Sequence, residues 1–122
     1  MRVQRSLVIK LTAGASEAER ANQAFTVAGA GLAAGVSVSL WLTGEATWFG
    51  VPGRAESFSL PLATPLAELR DAVLAGGTLT ACTQCAARRE LAQRDLLPGV
   101  RLAGAATFVE ESLAEGAQAL VY

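Results

Sequence analysis

The chain has 122 residues, with 10 Lys+Arg, 11 Asp+Glu and a formal charge of −1, which suits one domain burying roughly two-thirds of its unfolded surface and lacks the basic excess that nucleic-acid binding draws on. It contains no histidine, which removes every Ser-His or Cys-His catalytic pair within the chain and the commonest metal ligand. With 52% hydrophobic and 17% charged residues, the surface is short of charge for a small monomer, which points to subunit contacts.

Arg2 and Arg5 precede Leu7-Val8-Ile9, but Lys10 interrupts the apolar run before it reaches signal-peptide length, so the cytoplasm is the expected compartment. Leu7 to Leu11 reads as a strand, and Ser16…Glu19 as a capping box opening a helix. Ala21, Ala24, Phe25 and Ala28 continue the helical spacing up to the glycines between Gly29 and Gly35. Ala21 to Gly44 carries no charge and is long enough to cross a bilayer. Its pattern nevertheless changes midway to the alternation Val36-Ser37-Val38-Ser39-Leu40, so a helix, a glycine stop and a strand over Val36–Leu42 are predicted, and no membrane span.

Between Thr43 and Thr64 the pattern weakens: Trp48 and Phe49 suggest a short helix or turn, and Pro52-Gly53, Pro61 and Pro65 suggest loop. Trp41, Trp48, Phe49 and Phe58 either pack in the core or, if exposed, mark a subunit interface. Thr64 offers an N-cap with Pro65 at the first helical position, and Leu66, Leu69, Val73 and Leu74 form an apolar stripe closed by Gly76-Gly77. Thr78 to Ala81 is a short strand running into Cys82. A helix over Gln84–Arg94 follows, terminated by Pro98-Gly99. Val100 to Ala103 is a fourth strand, Thr107…Glu110 a second capping box, and Gln118 to Tyr122 a terminal strand. Five strands alternating with helices predict a single α/β domain over 1–122, a three-layer αβα sandwich with a mostly parallel five-stranded sheet.

In such a sheet ligands bind beyond the carboxyl ends of the strands, where Thr12-Ala13-Gly14, Thr43-Gly44-Glu45 and Cys82-Thr83-Gln84-Cys85 all point. A thiol at a strand-to-helix junction lies near the positive end of the helix, which favours thiolate, so Cys82 is the best-placed nucleophile. Cys85, one turn on, either resolves an adduct on Cys82 or packs inward as a filler. One of Arg88 and Arg89 is positioned to reach the sulfur, unless both are merely solvated. Glu45 either acts on protons near the same edge or is an exposed capping carboxylate. Two thiolates without histidine do not alone complete a four-coordinate zinc site, and neither a GxGxxG fingerprint nor a Walker lysine is present, so no metal and no cofactor are expected.

Three blocks, Val36-Ser37-Val38-Ser39-Leu40-Trp41-Leu42-Thr43-Gly44-Glu45, Ala81-Cys82-Thr83-Gln84-Cys85-Ala86-Ala87-Arg88-Arg89 and Asp95-Leu96-Leu97-Pro98-Gly99-Val100-Arg101-Leu102-Ala103-Gly104-Ala105-Ala106, resemble the DsrE/DsrF-like family. That family comprises sulfur-relay proteins including the TusD-type subunits, and the likeness spans nearly the whole chain. It implies a flavodoxin-like αβα fold assembled as trimers or hexamers, with the cysteine near subunit boundaries and with sulfur donor and acceptor proteins as partners. The cysteine that takes persulfide sulfur in that family falls on Cys82, and Cys85 matches a second cysteine found in many relatives. Where members often carry glycine after the arginines, this chain has Glu90.

The reading that follows is a sulfurtransferase or sulfur carrier in which Cys82 holds sulfane sulfur as a persulfide, with Cys85 beside it. Arg88 and the Thr43, Gly44, Glu45, Thr12 and Gly14 edge would bind the substrate. The alternatives are a non-catalytic oligomeric binding module and a thiol-disulfide redox protein using Cys82 and Cys85.

Overall fold

Runs of leucine and β-branched residues, flanked by glycine and polar turns, set the sheet. In the computed structural model, which describes residues 4–122, the strands are β1 (Ser6–Leu11), β2 (Ser37–Leu42), β3 (Thr78–Cys82), β4 (Arg101–Ala103) and β5 (Ala117–Val121). Arg2 of the N-terminal basic pair lies outside the described residues. The strand order is β4-β3-β2-β1-β5 and every pairing is parallel, so the sheet is wholly rather than mostly parallel. Strands buried on a covered face carry the apolar residues that the sequence alternates: Ile9, Leu11, Leu40, Leu42, Leu79 and Ala81 are all buried.

The chain lays down β1 to β4 stepwise in one direction and then returns beyond β1 for β5, which places helices on both faces. Helices α1 (Ala18–Ala33) and α2 (Leu66–Gly76) pack on one face. There Gly31 of α1 comes so close to Val38 and Leu7 that an added Cβ would lie 2.9 Å from the Val38 side chain. The opposite face receives α4 (Ala105–Ser112), whose Phe108 meets Trp41 edge to face at 5.5 Å. Glu111 of α4 accepts hydrogen bonds from Ser39 Oγ at 2.7 Å and Trp41 Nε1 at 3.0 Å, and pairs with Arg101 at 2.6 Å. Helix α3 (Thr83–Arg88) follows β3 directly.

Four local features differ from the sequence expectation. Neither capping box forms. A 3-10 turn over Ala15–Glu17 precedes α1, and Glu17 rather than Ser16 is its N-cap. Helix α4 starts from Gly104, which leaves Thr107 inside the helix. Pro65 is the N-cap of α2, one residue later than expected, because its ψ of 131° is not helical. The largest difference is α3, which ends at Arg88 instead of running to Arg94. Glu90 has φ +56°, its N–H reaches Ala87 O, and Leu91 N–H reaches Ala86 O at 2.9 Å. That is a Schellman closure with glutamate where glycine is the usual choice. Beyond it only a 3-10 turn over Gln93–Asp95 forms.

The stretch with the weak pattern is ordered by packing. A 3-10 segment over Gly44–Gly50 follows β2, and Phe49 bridges Phe25 and Phe58 edge to face at 5.7 and 5.9 Å. Trp41 and Phe49 are each 2% exposed and Phe58 packs against the core, which bears out the core reading of these aromatics. Burying each such side chain contributes roughly 1.5–3 kcal/mol. Trp48 is half-buried beneath the Arg54 guanidinium, 4.2 Å from its ring centre. Further along, Arg70 is buried in α2 and pins the loop to it through a two-pronged bond to Glu56 at 2.8 and 2.7 Å. Asp71 accepts from Nε and from Nη2.

Candidate functional site

Adjacent parallel strands bring the ends of β1, β2 and β3 to one edge, and there the predicted residues meet. Cys82 is the last residue of β3 and the N-cap of α3. Cys85 lies in the first turn of α3. Both thiols are free; Cys82 is partly exposed and Cys85 is buried.

Two sets of donors surround the sulfurs. Burial pushes the Cys82 thiol up, but the Cys85 N–H, the Cys85 thiol, the Gln84 N–H and the Arg88 guanidinium act the other way and hold it below the ordinary cysteine value. None of these N–H groups closes a regular cap bond to the thiol. The effect is local to these groups, because a helix of six residues carries little macrodipole. Around Cys85, the Gly44 N–H donates to Sγ at 3.2 Å and Arg88 Nη1 lies 4.0 Å from it.

Gly44 is held in place by its own backbone. Its φ is +55°, and a Cβ there would lie 2.9 Å from Thr12 O, so glycine is required on both counts. Gly14 is constrained by close approach: a Cβ would fall 2.7 Å from Glu45 Cβ. The β1 and β2 loops therefore pack against each other through two glycines.

The threonines and charges divide their work. Thr43 Oγ1 donates to Leu11 O at 3.1 Å and Thr12 Oγ1 to Tyr122 O at 2.8 Å, so both hydroxyls are committed to the main chain at the strand ends. Glu45 is neither a cap nor free. Arg89 holds it through Nε at 2.9 Å and Nη2 at 2.8 Å, and also donates to Cys85 O at 3.0 Å. Of the two arginines, Arg88 is the one turned to the sulfurs and Arg89 ties α3 to the β2 loop. That Arg89–Glu45 frame, which joins residues 44 apart, has no signature in the sequence.

Beside Glu45 opens a cleft of about 200 Å³ lined by Ala15, Ser16, Trp48, Phe49, Arg54 and Ser57. A wider and shallower depression of about 740 Å³ lies at the amino end of β2, lined by small and apolar residues such as Gly29, Gly35 and Gly76 with no titratable side chain. The thiols and the Arg88 and Arg89 guanidiniums gather instead at the carboxyl edge. Among the described residues no three of the His, Cys, Asp and Glu side chains cluster to hold a metal ion, and no helix is long and apolar enough to cross a membrane.

Comparison with known proteins agrees with this architecture. The family model described as DsrE/DsrF-like family matches residues 5–121. No curated protein matches the chain. Among solved structures, the crystal structure of the ychN protein from E. coli superposes with a TM-score of 0.69 at 14% identity, covering 98% of this chain and 100% of that one.

Proposed function

The chain belongs to the DsrE/DsrF-like family, and on that premise we propose that it is a sulfur carrier working through Cys82. The Cys82 thiolate attacks the terminal sulfur of a donor persulfide. A new S–S bond forms at Cys82, the donor's S–S bond breaks, and the donor leaves as a thiolate carrying the electron pair. The sulfur is then held as Cys82–S–SH, and an acceptor thiolate removes it by the same exchange in reverse. No histidine is needed, because both nucleophile and leaving group are low-pKa thiolates.

The observation that carries this reading is the partly exposed Cys82 thiol, held below the ordinary cysteine range by N–H groups and by Arg88. Arg88 would steady the charge on the persulfide. Gly44, Gly14, Thr12 and Thr43 would shape the edge against which the donor docks, with Glu45 fixing Arg89 beside it. The donor is a protein or small molecule bearing sulfane sulfur, and the acceptor a protein or small-molecule thiol. The assembly is a homo-oligomer, a trimer or hexamer, working in the cytoplasm.

The deciding experiment is exposure of the reduced protein to inorganic polysulfide, followed by mass spectrometry of the cysteine peptide. Wild type is expected to gain one sulfur on Cys82 and Cys82→Ser none. Equal gain by Cys82→Ser would overturn the proposal.

A further inference from the structure

We propose that Cys85 is a resolving thiol for adducts on Cys82: when no acceptor takes the sulfur, Cys85 displaces it as sulfide and closes a Cys82–Cys85 disulfide. This rests on the sulfur-accepting role proposed above for Cys82, and it adds an exit for the sulfur that a carrier with one cysteine lacks.

Three observations support it. Cys82 is the N-cap and Cys85 the third residue of the same turn, the two positions whose groups meet in a capping box. Residues three apart on a helix hold their Cβ atoms about 5–6 Å apart, a short closure from the roughly 3.5–4.5 Å of a disulfide. The Cys85 side chain is close enough to the Cys82 sulfur to help lower its pKa. Second, Cys85 is more than a core filler, because its sulfur takes the Gly44 N–H at 3.2 Å and lies 4.0 Å from Arg88 Nη1. A filler needs neither contact. Third, exposure separates the roles. An outside reagent meets the partly exposed Cys82, while Cys85, 9% exposed, is reached from Cys82.

The step balances without a further reagent. The Cys85 sulfur attacks the Cys82 sulfur of Cys82–S–S⁻, forming the new disulfide bond and breaking the bond to the outer sulfur. That sulfur leaves with the electron pair and the Cys85 proton as HS⁻. The sulfane sulfur is reduced and the Cys85 sulfur is oxidised. A dithiol reductant then returns both cysteines to the thiol state.

The test uses the full chain with two probes, an aromatic disulfide (DTNB) and inorganic polysulfide. With the aromatic disulfide, wild type is expected to release two coloured thiolates per chain and finish as an adduct-free intramolecular disulfide. Cys85→Ser and Cys85→Ala release one and keep the adduct on Cys82, and Cys82→Ser reacts roughly tenfold or more slowly. A stable Cys82 adduct in wild type, or an adduct on each cysteine, overturns the proposal. Agreement of the serine and alanine variants separates loss of the thiol from a disturbed core. With polysulfide, wild type is expected to liberate sulfide while the Cys85 variants retain the added sulfur. If the Cys85 variants take up no sulfur, the carrier reading fails, and the aromatic disulfide still decides the resolving role.

Discussion

The Gly44 N–H donates to Cys85 Sγ at 3.2 Å across 41 residues of sequence, joining the end of β2 to the turn that carries both cysteines. Glycine permits the close approach to α3 behind this bond: Gly44 takes a positive φ, and its missing side chain lets it lie against Thr12 O. Gly44→Ala therefore strains the left-handed backbone, which for a side-chain-bearing residue costs roughly 1–2 kcal/mol, and drives a Cβ into the Thr12 carbonyl. The expected outcome is a lowered melting temperature together with slower release of the second thiolate from an aromatic disulfide. Unchanged release kinetics in a folded Gly44→Ala protein would show that the N–H has no part in the reactivity of Cys85.

Arg88 is exposed and has no carboxylate partner among the described residues, and its charge favours the Cys82 thiolate. Alkylation reports the thiolate, so the rate rises with pH through the thiol pKa. Replacing Arg88 with methionine removes the charge while keeping most of the stem, and the rate profile should move to higher pH by roughly half a unit, the scale of an exposed charge screened by water. Lysine at the same position should restore most of that shift. The sign for stability follows: a thiol whose folded pKa is lowered contributes stability above its unfolded pKa and loses it as pH falls through the folded value. Wild type should therefore gain on Cys82→Ser at alkaline pH. A profile for Arg88→Met that overlays wild type would remove Arg88 from the site.

How far the sequence foretold this arrangement depends on how local each determinant is. The strands were readable because β-branched and leucine residues at alternate positions have one way to bury themselves in a parallel sheet, and Cys82, Gly44 and Gly14 reached one edge because β1, β2 and β3 are neighbours. The end of α3 was not readable. The residues from Glu90 to Arg94 suit a helix, yet Glu90 turns left-handed and the Leu91 N–H closes onto Ala86 O, a tertiary result against local preference. Both capping boxes failed for a related reason, since the chain enters α1 through a 3-10 turn and α4 straight from Gly104. The Arg89–Glu45 and Arg70–Glu56 pairs join residues that only the folded chain brings together.

Arg70 and Glu56 give an acid-stability prediction. Paired with Arg70, the Glu56 carboxyl is lowered from 4.5 to about 2, while the Arg70 side chain is 4% exposed and that of Glu56 is 52% exposed. A depressed carboxyl contributes stability in full above its unfolded pKa of about 4.5, and the contribution fades as pH falls toward 2. Because half of Glu56 faces water, solvent screening reduces its worth to about 1 kcal/mol. Glu56→Gln should accordingly be less stable than wild type at pH 7 and equal to it near pH 2, as read by denaturant melts at the two values. A gap that persists undiminished at pH 2 would exclude the ion pair as its source.

Glu111 offers the counterpart on the face of the sheet that α4 covers. Burial raises its carboxyl, but Ser39, Trp41 and Arg101 together hold it lowered, and the Arg101 Nε in turn donates to Thr80 Oγ1 at 2.9 Å. Helix α4 has no fully buried residue, so these polar bonds and the Phe108–Trp41 contact are what fix it to the sheet. Glu111→Ala leaves the Trp41 N–H and the Arg101 guanidinium without their acceptor, a loss of roughly 1–3 kcal/mol. Combined with Arg101→Ala, the two losses should add to less than their sum, because each removes the same bond. Since the network contacts neither sulfur, alkylation at Cys82 should keep its rate and its pH profile in both variants while the melting temperature falls. A change in thiol reactivity on Glu111→Ala would instead show that this network is coupled to the thiol along β3, where Thr80 and Cys82 are two residues apart on the same side of the strand.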